Sequence, residues 1–256
     1  MSSRVYFLGA QGYKNPDEYH TIMLILAADT STPYLSVSLC DNDDVLAEFT
    51  GYADRQHAEK ILPVLDSILS ESKTSLTAIE LFAVSIGPGS FTGLRIGVSA
   101  WKGLASGVQA PIIGIPTLDA LATRVPSPKG PVCALLDAKM DEVYACLYTF
   151  ENNKQIAQFP PVVDSIEAVL KRCPTNTVFI GDGATKYKTV ILEQLPTAEI
   201  LPDSFDAPSA TAVAQEAFRL CQIEMPANDN PVSPLYLRKS QAEEVRDAKN
   251  AAAVSP

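Results

Sequence analysis

Residues 87–97 read GPGSFTGLRIG and follow the apolar run LFAVSI at 81–86. Glycines and hydroxyls between an apolar run and a helix suggest a phosphate loop, and spacing tests that reading. A Walker loop needs Gly-Lys-Ser/Thr after its four variable residues, because the lysine neutralises phosphate and the hydroxyl holds Mg²⁺. Here Thr92 follows the four residues after Gly87, Leu94 rather than lysine follows Gly93, and the nearest lysine is Lys102. The dinucleotide pattern G-x-G-x-x-G also fails, with Thr92 in place of its third glycine. A helix N-terminus still attracts anions, but the loop reads as a structural glycine loop.

On a helical wheel, Gly93, Gly97, Ala100, Gly103 and Gly107 fall on one arc of about 120°. Leu94, Val98, Trp101 and Ala105 form a bulky neighbouring arc, and Arg95, Ser99, Lys102 and Ser106 the polar remainder. A glycine inside a helix costs about 0.8–1 kcal/mol relative to alanine, so this run needs a close neighbour. The neighbour is either the chain's own preceding helix or a partner subunit, and the sequence favours neither.

Working outward, residues 1–22 lack periodicity and read as an extension outside the fold, with Met23 a plausible start. Strands at 24–29, 35–40 and 45–51 form a meander, with DNDD at 41–44 as a hairpin turn. Asp54 is placed to cap a helix over 54–72, in which Ala58, Ile61, Leu62, Leu65, Ile68 and Leu69 share a stripe and Pro63 introduces a kink. A second meander follows at 132–137, 143–150 and 154–158, after a helix at 117–124. Both halves share one plan, a duplicated α/β lobe. The boundaries expected are 1–22 extension, 23–116 first lobe, 117–226 second lobe, and 227–256 proline-rich linker and charged tail.

The chain has 256 residues with 30 acidic against 20 basic side chains, a net charge of −10, and a mean hydropathy of +0.07. Such a surface repels a phosphate backbone, so any work on RNA calls for a basic partner. Five cysteines without C-x-x-C or zinc spacing read as reduced, buried thiols. No apolar run approaches the roughly 18 residues of a membrane span, and a cytoplasmic location is expected.

Candidate chemistry lies at strand ends. Asp29-Thr30-Ser31 ends the first strand, Asp137 ends the equivalent strand of the second lobe, and Gly181-Asp182-Gly183 follows VFI. Two strand-end aspartates facing one cleft would be the skeleton of a phosphotransferase site; the alternative is polar turns. His20 lies in the extension and His57 stands alone on the first helix, so no helix-spaced histidine pair can hold zinc. Neither Ser85 nor Ser90 has a G-x-S-x-G setting.

Together the segments LILAADTS, RQHAEKILPVLDSIL, SIGPGSFTGLRIGVSAWKGLA, GIPTLDALA, LLDAKMDEVYACLY and terminal PLYLR resemble the TsaB (YeaZ) family from Met23 to about Arg238. The resemblance implies an actin-like (ASKHA, ribonuclease H-like) duplicated two-lobe α/β fold. It implies a non-catalytic subunit supporting threonylcarbamoyl transfer to N6 of adenosine 37 in tRNA by a catalytic paralogue, TsaD. The implied pairing surface maps to His57, Ile61, Leu62, Leu65, Gly93, Leu94, Gly97, Ala100 and Gly103. Further partners expected are a TsaE-like ATPase, tRNA only through the complex, and a second copy of the chain. No cofactor is expected for the chain alone, with weak ATP or ADP binding at Asp29, Thr30, Ser31, Asp137, Gly181 and Gly183 left open. Lys139, where the family more often has arginine, and the extension depart from the pattern. An active kinase of the same fold and a metallopeptidase are the competing readings.

Overall fold

The computed structural model describes residues 23–125, 128–151, 154–207, 209–228 and 230–238, and the backbone of Arg4–Tyr6. The apolar run at 24–29 becomes β2 (Leu24–Asp29), central in a six-stranded sheet and buried on both faces. Strands β3 (Tyr34–Asp41) and β4 (Asp44–Tyr52) extend it antiparallel, while β5 (Leu81–Gly87) and β6 (Ile112–Pro116) extend it parallel. The second sheet repeats this plan around β7 (Val132–Lys139). There β8 (Glu142–Glu151) is antiparallel, and β11 (Val178–Ile180) and β12 (Glu199–Ile200) are parallel. Two short strands share the place beyond β8: β9 (Lys154–Ala157) pairs with one end and β10 (Val162–Ser165) with the other. This is the actin-like duplicated α/β architecture.

Alternation along the strands sorts the first lobe's core into two layers. Leu26, Ala28, Val37, Phe82 and Val84 face α1 (His57–Glu71) and α2 (Phe91–Val108), which contribute Ile61, Leu65, Ile68, Val98 and Trp101. The Trp101 indole N–H donates to the Leu26 carbonyl at 3.0 Å, so the largest core side chain leaves no buried donor unpaired. The opposite face, with Ile25, Ala27, Leu81 and Ala83, is covered by α7 (Ala210–Cys221) through Ala210, Val213, Ala214 and Ala217. In the second lobe, α4 (Ile166–Leu170) and α6 (Lys188–Gln194) cover one face, and α3 (Thr117–Thr123) the other. The short α5 (Asp182–Lys186) follows β11 directly.

Four sequence expectations change. Helix α7 belongs by chain order to the second lobe but seals the first, because its alanine face is flat enough to lie against a sheet of Ala27 and Ala83. The segment expected as a free linker folds back as far as Arg238: Val232 is buried in the first lobe's core, Asn230 donates to the Ile112 carbonyl at 3.0 Å, and Lys102 donates to the Val232 carbonyl at 3.1 Å. Residues 239–256 lie outside the described residues. From the extension, β1 (Arg4–Tyr6) pairs antiparallel with β4, so these three residues belong to the sheet. Asp54 does not cap α1: it has φ of 46°, and Gln56 takes the N-cap without a side-chain bond.

Deleting residues 1–22 removes a three-residue edge strand and leaves both cores covered, so the melting temperature should fall by about 4 °C or less. Truncation before Ala210 uncovers one face of the first sheet. Burying a leucine or isoleucine is worth about 2 kcal/mol against a net stability of about 5–15 kcal/mol, so that chain should lose cooperative unfolding in calorimetry.

Candidate functional site

The turn after β2 is stitched to the start of α2. The Asp29 Oδ1 accepts from the Ser31 amide at 2.8 Å and from the Ser31 hydroxyl at 2.6 Å. The Thr30 hydroxyl donates to the Gly93 carbonyl at 2.8 Å, and the Ser90 amide donates to the Ser31 carbonyl at 2.6 Å. Ser90 in turn caps α2, its hydroxyl accepting from the Gly93 amide. All three residues of the turn are buried, Asp29 and Ser31 at 2% exposure. Their hydroxyl protons are committed within the chain and are not presented to a phosphate. Burial pushes the Asp29 carboxyl above its ordinary pKa, against the lowering by Ser31.

Arg124, just beyond α3, closes the space over Asp29. Its Nη1 donates to the Phe205 carbonyl at 2.9 Å and to that of Ala207 at 2.6 Å, and its guanidinium lies 5.0 Å from the Phe205 ring centroid. What remains between Asp29, Thr117, Arg124 and Asp206 is a void of about 10 Å³, room for about one water. Burial lowers the Arg124 pKa, and the charges of Glu48, Asp206 and Asp29 oppose that lowering. Sequence reading passed over Arg124, which lies in a turn outside every motif.

The second lobe treats its equivalent residues differently. Asp137 accepts from Lys139 Nζ at 2.6 Å and from Lys186 Nζ at 2.9 Å. Burial alone would raise its pKa, but the two lysines outweigh it and hold the carboxyl below the usual value. The Asp182 carboxylate accepts from the Asp137 amide at 2.9 Å. Gly181 (φ 107°) and Gly183 pack closely on β7: a β-carbon on Gly181 would strike the Leu135 carbonyl, and one on Gly183 would crowd the Leu135 backbone. Their lack of side chains lets α5 approach β7.

A larger cavity, about 410 Å³, lies where three motifs meet: the 88–91 loop, the β7–β8 hairpin and the segment 235–238. None of Asp29, Thr30, Ser31, Asp137, Gly181 and Gly183 lines it. On its wall Tyr236 stacks on Phe91 with centroids 4.3 Å apart. Nothing local in PLYLR signals this contact with α2.

The residues expected to face a partner divide. Gly93 and Gly97 pack inward, since a β-carbon on Gly93 would strike the Thr30 carbonyl and one on Gly97 the Thr30 hydroxyl. The close neighbour is thus neither the preceding helix nor a partner but the β2–β3 turn. Leu94, Ile61 and Leu65 are core. His57 is buried too, with Nε2 3.1 Å from the Tyr34 carbonyl. Leu62 is 51% exposed, Gly103 and Gly107 open onto empty space, and Ala100 is half-buried. Leu62, Ala100 and Gly103 form the outward part of the expected surface, and Gly107 extends it.

Gly97→Ala should destabilise the isolated protein by about 1–3 kcal/mol through overpacking. Gly103→Ala should stabilise it by up to about 1 kcal/mol through helix propensity, and thermal melts of the two variants compare them directly. The aspartates carry opposite pH signatures. Asp29 has a raised folded pKa, so its contribution is full below the unfolded value near 3.9 and is lost as pH rises through the folded value. Asp29→Asn should therefore gain stability over wild type across that window. Asp137 has a depressed folded pKa, so its contribution is present above about 3.9 and disappears as pH falls through the folded value. With both lysines substantially exposed, Asp137→Asn should cost about 1 kcal/mol or less at neutral pH and nothing in strong acid, as read by denaturant titration at stepped pH.

Comparison with known proteins places these features in a family. The model of TsaD, tRNA N6-adenosine threonylcarbamoyltransferase, matches residues 43–245. The TsaB of Bacillus subtilis, a tRNA threonylcarbamoyladenosine biosynthesis protein, is 30% identical over 225 residues, 86% of this chain and 96% of that protein. The TsaB of Escherichia coli is 44% identical over 133 residues, a match spanning 51% of this chain and 57% of that protein. The solved structure of YeaZ from Pseudomonas aeruginosa superposes with a TM-score of 0.71 at 28% identity, over 84% of this chain and 100% of that one. On sequence and on fold alike, the chain belongs to the TsaB (YeaZ) family.

Proposed function

We propose that this chain takes part in tRNA threonylcarbamoyladenosine biosynthesis as a non-catalytic subunit, activating a TsaD-like paralogue that transfers threonylcarbamoyl to N6 of adenosine 37. The observation that carries the reading is the state of the cleft around Asp29. In an actin-like phosphotransferase the strand-end aspartate and its neighbouring hydroxyls face nucleotide and metal. Here Ser31 satisfies Asp29, Thr30 is bound to α2, and Arg124 leaves about 10 Å³, whereas ligand pockets run to about 300–1,000 Å³. The donor set agrees, because no cluster of three or more His, Cys, Asp or Glu side chains suited to a metal occurs among the described residues. The committed hydroxyls and the small void favour the subunit reading over the kinase one, and the absence of such a cluster among the described residues gives the metallopeptidase reading no support.

The partner surface we assign is the exposed face of α1 and α2 around Leu62, Ala100, Gly103 and Gly107, where absent side chains let a partner helix come close. The same face would serve a second copy of the chain when the paralogue is missing. A TsaE-like ATPase and tRNA would join through the paralogue, since a net charge of −10 disfavours direct binding of RNA. Five buried, unpaired cysteines fit a reducing cytoplasm, and among the described residues no helix is long and apolar enough to cross a membrane.

Reconstitution tests the proposal. A TsaD-like partner with tRNA, a threonylcarbamoyl donor and the ATPase should modify tRNA only when this chain is added, and the Asp29→Asn chain should support it equally. The chain alone should hydrolyse no ATP. Turnover by the isolated chain that disappears in Asp29→Asn would replace the subunit reading with the kinase one.

A further inference from the structure

The PLYLR segment at 234–238 has no part in the function proposed above, yet it touches both lobes. The Leu235 amide donates to the Ile86 carbonyl at 2.7 Å, at the end of β5. Tyr236 lies on Phe91 with 23° between the rings. The Arg95 guanidinium sits 4.0 Å from the Phe91 centroid, and its Nε donates to the Tyr236 hydroxyl at 3.0 Å. These anchors fix the segment to the first turns of α2 in the first lobe. Two residues later it reaches the second lobe: Arg238 Nη1 donates to Glu142 Oε2 at 2.7 Å, and Nη2 lies 2.6 Å from Met140 Sδ.

The far anchor is an unusual hairpin. Lys139, Met140 and Asp141 at the β7–β8 turn have φ of 64°, 54° and 60°, a region side chains other than glycine seldom occupy, and such conformations persist only where the surroundings enforce them. Arg238 grips this turn from one side, while Lys139 is tied back to Asp137. Between hairpin and α2 lies the 410 Å³ cavity, with Pro88 and Gly89 on one wall and Ala138 and Tyr144 on another.

We propose that residues 235–238 are an interlobe clamp that sets the separation between the start of α2 and the β7–β8 hairpin across this cavity. Away from this cavity α3 belongs to the second lobe's core through Leu118, Leu121 and Ala122 and meets α7 in the first lobe's core through Ala120, and this α3–α7 contact serves as a hinge. Releasing the clamp would leave each core intact and rotate one lobe against the other. The tyrosine stack holds the segment to the first lobe, and the Arg238–Glu142 pair, with side chains 23% and 39% exposed, is the releasable contact.

Pulsed electron resonance between spin labels on Ala78→Cys and Lys171→Cys, exposed positions in the two lobes, measures the opening. The five native cysteines are buried and compete little for the label. The clamped protein should give one narrow distance distribution. Arg238→Ala and Glu142→Gln should each add a second, displaced population, and the double variant should open no further than Arg238→Ala. If Arg238→Ala melts without cooperativity, Glu142→Gln carries the test, because it leaves the segment's backbone bond and ring stack in place. Unchanged distributions in the folded single variants would overturn the clamp, as would a double variant that opens beyond Arg238→Ala.

Discussion

The contact between the β2–β3 turn and the first two turns of α2 organises the first lobe. Thr30 sits against the helix at Gly93 and Gly97, where no β-carbon intervenes, and its hydroxyl donates into the helix at Gly93. One consequence is mechanical: α2 lies close enough to the sheet for Trp101 to reach the Leu26 carbonyl. The other is chemical. A turn drawn that tightly onto a helix turns its own hydroxyls inward, and Asp29 is left with Ser31 for company. Stability is obtained with the groups a phosphotransferase would direct at its substrate.

The second lobe reaches the same topology with different physics. Its aspartate at the end of the equivalent strand stays near the surface and is neutralised by Lys139 and Lys186, and Gly181 and Gly183 give close packing of α5 on β7. Two copies of one architecture thus satisfy equivalent aspartates in two ways, by burial with hydroxyl bonding and by ion pairing. The opposite pKa directions of Asp29 and Asp137 are the electrostatic record of that divergence.

Covering elements are exchanged between the lobes as well. The first sheet is completed by α7, which follows the second lobe in the chain, and by a returning segment that buries Val232. The first lobe is therefore not a contiguous piece of sequence. The α3–α7 contact on one hand and residues 235–238 on the other give the cleft two differently built joints, the first apolar, the second including a ring stack and the Arg238–Glu142 ion pair.

Much of this was legible in the residues themselves. The apolar runs at 24–29 and 81–86, the DNDD turn and the helical stripe through Ile61, Leu65 and Ile68 determine strands, hairpin and helix by local periodicity, and their repetition determines a duplicated α/β fold. The failure of 87–97 to match any phosphate-loop spacing was equally a matter of sequence. Tertiary structure alone decided what each buried or smooth face meets. A wheel shows that Gly93, Gly97, Gly103 and Gly107 share an arc, but not that the first two meet Thr30 while the last two meet solvent. Periodicity encodes which side of an element avoids water, whereas the identity of its neighbour depends on contacts far apart in the chain. For the same reason Arg124, α7 and the 235–238 segment had no local signature, since their roles exist only where distant residues converge.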